Sequence, residues 1–437
     1  NRSPYLAGVE VKTGGLSLDQ APAEDIPLRF FISAPIFGIL AGLMVLLKGN
    51  LLFSNTWMPE TVALTHLLTL GWMGSVMFGA LYQMIPVLVG GVVPFPRLSR
   101  RLHTILIPAI LLMVSGFFWN HSWMLKTSLA LLFPTILLFL LQLVQPLVQA
   151  DGSRPVVLAM RFAGICLALT LLLGSLNLLQ YSGWWSGFLD RNLLKTLHLQ
   201  MGLLGWIGFL IFGVGFHVIP MFYLSKPFSD KQARGILVIA FGSLSAISTG
   251  SILGMGKEWL LLFSLPGLAS VFYFSYTLLR MLHQRKRKIH DSTLRLWQGG
   301  ILALCLSLPL GLSHLVSPSQ QWLFLFGIFF IGGFAISVSI GMLYKIVPFL
   351  IWFHRFSSLV GQVRVPLLKD LLPKSGPSIQ ATLHGVSLLL VCSGIFLQED
   401  LSIRIGAGLW MVSSLMLLIH LIFVVSHKPK ISTPPLG

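Results

Sequence analysis

Twelve histidines lie in this chain, and several fall within long apolar runs where an imidazole has no water to satisfy it. His66 and His198 come early in their runs and His314 comes at the end of its run, which places all three at or near one third of the membrane depth. His217, His384 and His420 lie toward the opposite surface, with His103 close to it. His121, His283, His290, His354 and His427 fall in loops or basic stretches, where an interfacial imidazole needs no special partner. Inside hydrocarbon an ionisable side chain is costly and wants a partner. A haem iron is one such partner, because neutral imidazole nitrogen is a good axial ligand and a porphyrin fills apolar space. A proton relay or a helix-to-helix hydrogen bond is another. For any single histidine the residue type leaves both readings open.

The elements that must position these side chains are membrane helices. The chain has 437 residues, of which 55% are hydrophobic and only 10% charged, with a mean hydropathy of +0.84. A soluble chain carries roughly a quarter charged residues. Apolar runs of about 20 residues, enough to cross a hydrocarbon core of about 30 Å, recur twelve times. They are centred near Phe37, Met77, Ala109, Leu137, Ala168, Phe209, Phe241, Leu268, Cys305, Ile336, Leu390 and Leu415. The formal charge of +17 is not a nucleic-acid signature, because its distribution is that of a membrane protein. With both ends of the chain on one side, 24 of the 30 Lys and Arg fall on that side and six on the other. That asymmetry is the positive-inside pattern and puts both termini in the cytoplasm; basic loops there face an anionic leaflet. The three cysteines (Cys166, Cys305 and Cys392) sit within apolar spans and form neither a disulfide framework nor a CxxC metal motif. Residues 1–28 are polar, lack the apolar core of a signal peptide, and are read as a cytoplasmic arm; 428–437 are read as a cytoplasmic tail. The long loop Phe356–Pro377 is read as a surface-lying amphipathic segment.

A pattern recurs in spans 2, 6 and 10. Gly71, Trp72, Gly79, Tyr82, Gln83, Ile85 and Pro86 are matched 134 positions later by Gly205, Trp206, Gly213, Phe216, His217, Ile219 and Pro220. A further 128 positions on stand Gly333, Phe334, Gly341, Tyr344, Lys345, Val347 and Pro348. The repeating unit is therefore four helices, with units at about 29–150, 155–283 and 292–427. The pattern predicts an all-α polytopic membrane protein, three four-helix repeats about a pseudo-threefold axis. Glycine at such spacing lets helices approach closely, and the proline bends or ends each helix near the inner surface. Gln83, His217 and Lys345 share one repeat position; they either snorkel to the surface or form a polar cluster near the axis. In span 2 the small residues Gly71, Ser75 and Gly79 form one strip. With ideal α geometry that strip faces away from His66, which shares its own face with Leu70, Met73, Met77 and Met84.

Twelve spans in three four-helix units, both termini inside, and a span-2 histidine in the outer third resemble subunit I of the haem–copper oxidase superfamily. "THLLTLGWMGSVMFGALYQMIPVLVGG" is similar to the family's second helix. In that family its outer-third histidine is an axial ligand of a low-spin haem, which implies that role for His66 and haem b as cofactor. His198 matches the place in span 6 of the family's first copper ligand. The chain then departs from the family. Span 7, "KQARGILVIAFGSLSAISTGSIL", lacks the family's histidine pair, and "QWLFLFGIFFIGGFAISVSIGMLYKIVPFLIW" in span 10 supplies neither of its haem-ligating histidines. The span-6 tyrosine is missing, and no Asp or Glu lies at mid-membrane depth. A copper site needs about three nitrogen ligands, so neither copper nor oxygen reduction is expected.

The second axial ligand must come from outside span 10, with His198 and His314 at similar depth; an inner group from His217, His384 and His420 would hold a second haem. The expected function is a haem b-binding, oxidase-like subunit of a respiratory or electron-transfer complex in a bacterial-type inner membrane. Its partners would be lipid, the other subunits of a membrane redox complex, and a cytochrome c-like or quinol electron donor, with no nucleic acid. Two alternatives stand beside it: an NnrS-like nitric-oxide-related haem membrane protein, whose usual WHAHEM-like opening is absent here, and a cofactor-free structural or transport subunit.

Overall fold

The computed structural model describes residues 22–429 except 153 and 188. The expected N-terminal arm up to residue 21 and the tail from 430 lie outside these residues. Twelve helices are long and apolar enough to cross a membrane. They run Asp25–Phe53, Pro59–Val89, Pro96–Phe118, Ser122–Gln149, Pro155–Tyr181, Arg191–Tyr223, Asp230–Ile252, Lys257–His283, Ser292–Val316, Gln320–Arg355, Gly376–Leu397 and Asp400–Ser426. Each expected centre falls inside its helix. Local chemistry sets the starts. Proline stands first in spans 2, 3 and 5, where its missing N–H costs nothing. Asp190, Ser229 and Asp291 cap spans 6, 7 and 9 by accepting from the N–H groups of Leu193, Gln232 and Leu294. Span 1 begins at Asp25, four residues earlier than its apolar run suggests, because Asp25 is neutralised by Arg100 and Arg29.

Both ends of the helical domain emerge on one face. Arg355, at the end of span 10, donates to Glu24 before span 1 and to the Val425 and His427 carbonyls at the end of span 12. That face is called near below, and the opposite one far. Across the far face, Arg404 joins the start of span 12 to the Leu46 and Leu47 carbonyls of span 1.

Spans 2, 6 and 10 form the centre. In their most apolar stretches 89%, 78% and 72% of residues are buried, against 56% or less in every other span. They touch pairwise: Phe78 meets Trp206, Phe212 meets Phe334, and Ser339 Oγ lies 3.8 Å from Met73 Sδ. The other nine spans surround them, and their outward faces carry large exposed apolar side chains such as Leu141, Leu172 and Ile419, suited to lipid.

The repeat glycines are packing positions. A Cβ on Gly71 would lie 2.6 Å from the Phe37 ring of span 1, and one on Gly79 2.9 Å from Phe30 and Phe31. Ser75 between them is fully buried. Gly205 and Gly213 press on Cys166 and Ala159 of span 5, and Gly333 presses on Ala303 of span 9. Each of the three central helices thus rests its glycines on the preceding span.

The same three helices each contain a π-helical segment: Leu67–Gly74, Gln200–Gly208 and Ile328–Ile336. The second and third are 128 residues apart, and the first is within one residue of the same register at 134. π segments are rare and favour functional sites. Here one begins directly after His66, and one begins two residues after His198.

This winding overturns one expectation about span 2. Leu70 does face the same cavity as His66, but Met77 and Met84 line a separate small space of about 60 Å³ among the three central helices, and Met73 meets Ser339. Extrapolating 3.6 residues per turn through a segment of i→i+5 bonds puts the later methionines on the wrong side.

The three polar residues at the shared repeat position do not share surroundings. Lys345 pairs with Asp291 at the near face, beside the Tyr223 hydroxyl. Gln83 is buried with its Oε1 unpartnered, and His217 is half-buried. The loop between spans 10 and 11 has short 3₁₀ turns at Ser357–Leu359 and Leu368–Leu371, with Leu367 and Leu368 exposed and Leu371 buried.

Candidate functional site

The far halves of spans 2 to 6 leave a cavity of about 410 Å³ that continues past span 2 toward spans 1, 10, 11 and 12. Cofactor and ligand sites typically occupy about 300–1,000 Å³. Leu, Ile, Phe, Met and Gly residues make up most of its wall. Two imidazoles line it, His66 and His198.

His66 is the last residue before the π segment of span 2. Its Nδ1 lies 2.8 Å from the Val62 carbonyl one turn earlier. His198 Nδ1 lies 3.0 Å from the Thr170 carbonyl on span 5. A carbonyl only accepts, so Nδ1 must carry the proton in both rings. In the neutral imidazole this leaves Nε2 as the lone-pair nitrogen. The ring centroids are 6.2 Å apart, with planes inclined by 26°. Phe117 of span 3 lies near-parallel to His66 on 6.1 Å, and Gly174 of span 5 makes room for His198. A Cβ on Gly174 would stand 2.8 Å from His198 Cε1.

With Nδ1 committed in both rings, Nε2 of His66 and Nε2 of His198 are the donors that would hold a metal ion here. Ligating histidines usually donate their other ring nitrogen to a carbonyl or carboxylate in this way, which fixes tautomer and orientation. Among the described residues no group of three or more His, Cys, Asp or Glu converges as a metal cage. The site offers two nitrogen donors and a large apolar space, a donor set that fits a haem iron, whose other four ligands come from the porphyrin.

Two cations sit at the far end of the same cavity. Arg191 and Lys195 precede His198 by seven and three residues in span 6, and both line the cavity with Trp57. Lys195 Nζ lies 3.9 Å from a Trp57 ring centroid and donates to Thr56 Oγ1 at 3.2 Å. The Arg191 guanidinium stands over Trp57 and Tyr181.

The remaining candidate histidines lie elsewhere. His314 is at the far end of span 9 but outside the cavity wall, with Nδ1 2.8 Å from the Ser319 carbonyl in the turn that follows. His384 is buried on span 11, with Nε2 2.8 Å from Ser337 Oγ and its ring against Trp410. His420 on span 12 has Nδ1 2.9 Å from the Tyr344 hydroxyl. His217 lies on span 6 near the other end of the membrane domain. His384 and His420 are held by hydroxyls of span 10, the helix-to-helix bond that a buried imidazole can use instead of a metal.

Arg191, Lys195, Trp57, Thr170 and Gly174 were not anticipated. A signal was present for the first two, since only six Lys and Arg fall on the far side and two of them stand within seven residues of His198. No protein-family model matches the chain, and comparison with curated proteins finds no match.

Proposed function

We propose that the protein is an integral-membrane haem b protein whose iron is held by His66 and His198, and that it carries electrons within a larger membrane redox complex. The observation that carries this reading is the pair itself: two imidazoles 6.2 Å apart on one apolar cavity, each with Nδ1 committed to a carbonyl. When bound, the haem would supply a reversible one-electron couple. The chain's own part is to hold the two rings, to exclude water with the walls of spans 2 to 6, and to keep both Nε2 atoms unprotonated through the Val62 and Thr170 carbonyls. On this reading His198 of span 6 would be the second residue to hold the iron, and its place beside His66 on the cavity supports that choice over His314.

The resemblance to oxidase subunit I remains part of the proposal. It is supported by the central position of spans 2, 6 and 10, by their coincident π segments and by their equivalent glycine packing, which also support a pseudo-threefold arrangement. The near face carries most of the basic residues, which supports its assignment to the cytoplasm in a bacterial-type inner membrane. A cytochrome c-like or quinol donor and further subunits are proposed as the redox partners.

The test is an absorbance spectrum of the purified full chain after reduction with dithionite, with metal analysis of the same sample. Sharp low-spin bands of a six-coordinate haem, iron near one per chain and no stoichiometric copper are expected. A preparation from haem-replete cells without those bands, or with one tightly held copper per chain, would overturn the reading.

Gly174→Val supplies a prediction that separates site from fold. The added side chain drives the His198 ring from its place and breaks its bond to Thr170. Loss of the hydrogen bond that orients a ligating histidine costs about 10–100-fold in metal affinity. Haem retention through purification is therefore expected to fall by about tenfold or more, with helical circular dichroism unchanged. Full retention would show that His198 does not depend on this position.

A further inference from the structure

The loop between spans 2 and 3 presents apolar side chains at the near face. Val92 is 65% exposed and Phe95 72%. Phe95 also has a left-handed backbone (φ 57°), an uncommon and strained conformation for a bulky residue. What holds it there is buried. The Gln142 side-chain amide of span 4 donates to the Pro94 carbonyl at 2.7 Å and to the Phe95 carbonyl at 3.3 Å. Its oxygen accepts from the Tyr82 hydroxyl at 2.8 Å. A buried polar network thus keeps an aromatic ring turned outward. Two observations identify what covers that ring. Gly91 packs on Pro146 near the end of span 4, so the loop adjoins the outward face of that span, where Leu141, Val144 and Val148 are exposed. Span 3 has 23 residues, about 35 Å at 1.5 Å per residue, against a hydrocarbon core of about 30 Å. Its first residue, Pro96, therefore stands just outside the core, and Phe95 before it lies at headgroup depth. Arg97 and Arg101 beside the ring are exposed, and among the described residues neither pairs with a carboxylate, whereas Arg100 holds Asp25.

We propose that Val92 and Phe95 form a wedge in the near-side leaflet, and that Arg97 and Arg101 hold the phosphates of anionic lipids around it. The apolar tip enters the boundary between headgroups and acyl chains, which removes from water a surface that the fold leaves exposed. The guanidinium forks donate to phosphate oxygens in pairs. Each basic side chain close to an anionic leaflet is worth about fivefold in occupancy. The strained turn has a use in this arrangement. Left-handed Phe95, with proline on both sides, sets the direction of the ring before lipid meets it, so little conformational freedom is lost on insertion. The wedge does not depend on the haem reading.

The experiment places a nitroxide at F95C, and separately at V92C, in the full chain reconstituted into nanodiscs of phosphatidylcholine, with or without phosphatidylglycerol. The unsubstituted chain, labelled in the same way, corrects for the three native cysteines. Collision with oxygen, which concentrates in the bilayer, is compared with collision with a water-soluble nickel chelate. In anionic discs both labels are expected to collide mainly with oxygen. In R97Q/R101Q the ratio of inserted to withdrawn label is expected to fall by about fivefold per charge removed, and omission of phosphatidylglycerol is expected to lower it in the unaltered background. Both arginines are exposed, so the variant keeps the packing of spans 2 to 4, which its unfolding temperature checks. Labels that collide mainly with nickel in anionic discs overturn the proposal and leave the loop free for a protein partner. Insertion that is the same in neutral discs and in R97Q/R101Q also overturns it, because the arginines then hold no lipid phosphate.

Discussion

Replacing His66 by alanine is expected to abolish the low-spin haem spectrum while leaving the protein folded, and His198→Ala is expected to do the same. Each ring supplies one of the two donors that line the cavity, and no third His, Cys, Asp or Glu joins them among the described residues. Loss of a hydrogen bond that orients a ligand already costs about 10–100-fold in affinity, so loss of the ligand itself should cost at least as much. Any haem that remains would be five-coordinate and high-spin, with a shifted midpoint potential. His384→Ala and His420→Ala are the controls, because their imidazoles are engaged by Ser337 and Tyr344 away from the cavity. Spectra of the four variants at matched protein concentration decide the matter. A His66→Ala preparation that keeps its full spectrum and potential would remove His66 from the site.

Gly71→Leu is expected to be the more damaging change to the fold. An added Cβ alone would stand 2.6 Å from the Phe37 ring, and Phe37 is itself almost fully buried, so it has no free space to enter. Overpacking of this kind costs about 1–3 kcal/mol, and in the tightest sites more. The variant should show a lower unfolding temperature in detergent and a lower yield of monodisperse protein. Gly164→Ala in span 5 is the contrast, since nothing lies within 4 Å of its added Cβ. It is expected to be neutral or to stabilise by about 0.5–1 kcal/mol, the usual gain from replacing a mid-helix glycine. Equal stability of Gly71→Leu and the unaltered chain would show that spans 1 and 2 do not meet as described.

The alternative of a cofactor-free subunit makes a different use of the same histidines. His384 and His420 already behave as that alternative expects, since each satisfies its ring by a hydroxyl on a neighbouring helix. His198 also bonds a neighbouring helix, through the Thr170 carbonyl, and His66 bonds its own helix at Val62; what sets these two rings apart is that both line one large apolar cavity. The difference is what makes one pair, and not all six candidates, the place to look for iron.

What the sequence by itself determined about this protein is what depends on local composition. Twelve helices were legible because crossing a hydrocarbon core requires about 20 apolar residues in a row, a property of each segment alone. The glycine strip of span 2 was legible as a packing surface because small residues at i, i+4 spacing have few other uses in an apolar helix, and it does press on span 1. The candidacy of His66 followed from its depth and from the resemblance of span 2 to the oxidase helix, and not from its methionine neighbours, which face elsewhere. The tertiary structure decided the rest. His66 and His198 are 132 positions apart, and which distant histidine faces His66 depends on how the helices between them pack and rotate. Depth alone left His198 and His314 level; the fold put His198 across the cavity and turned His314 into the turn before span 10. The methionines that ideal α geometry placed beside His66 moved away because eight residues wind as a π segment. Ideal 3.6-residue periodicity read along the sequence does not include that winding.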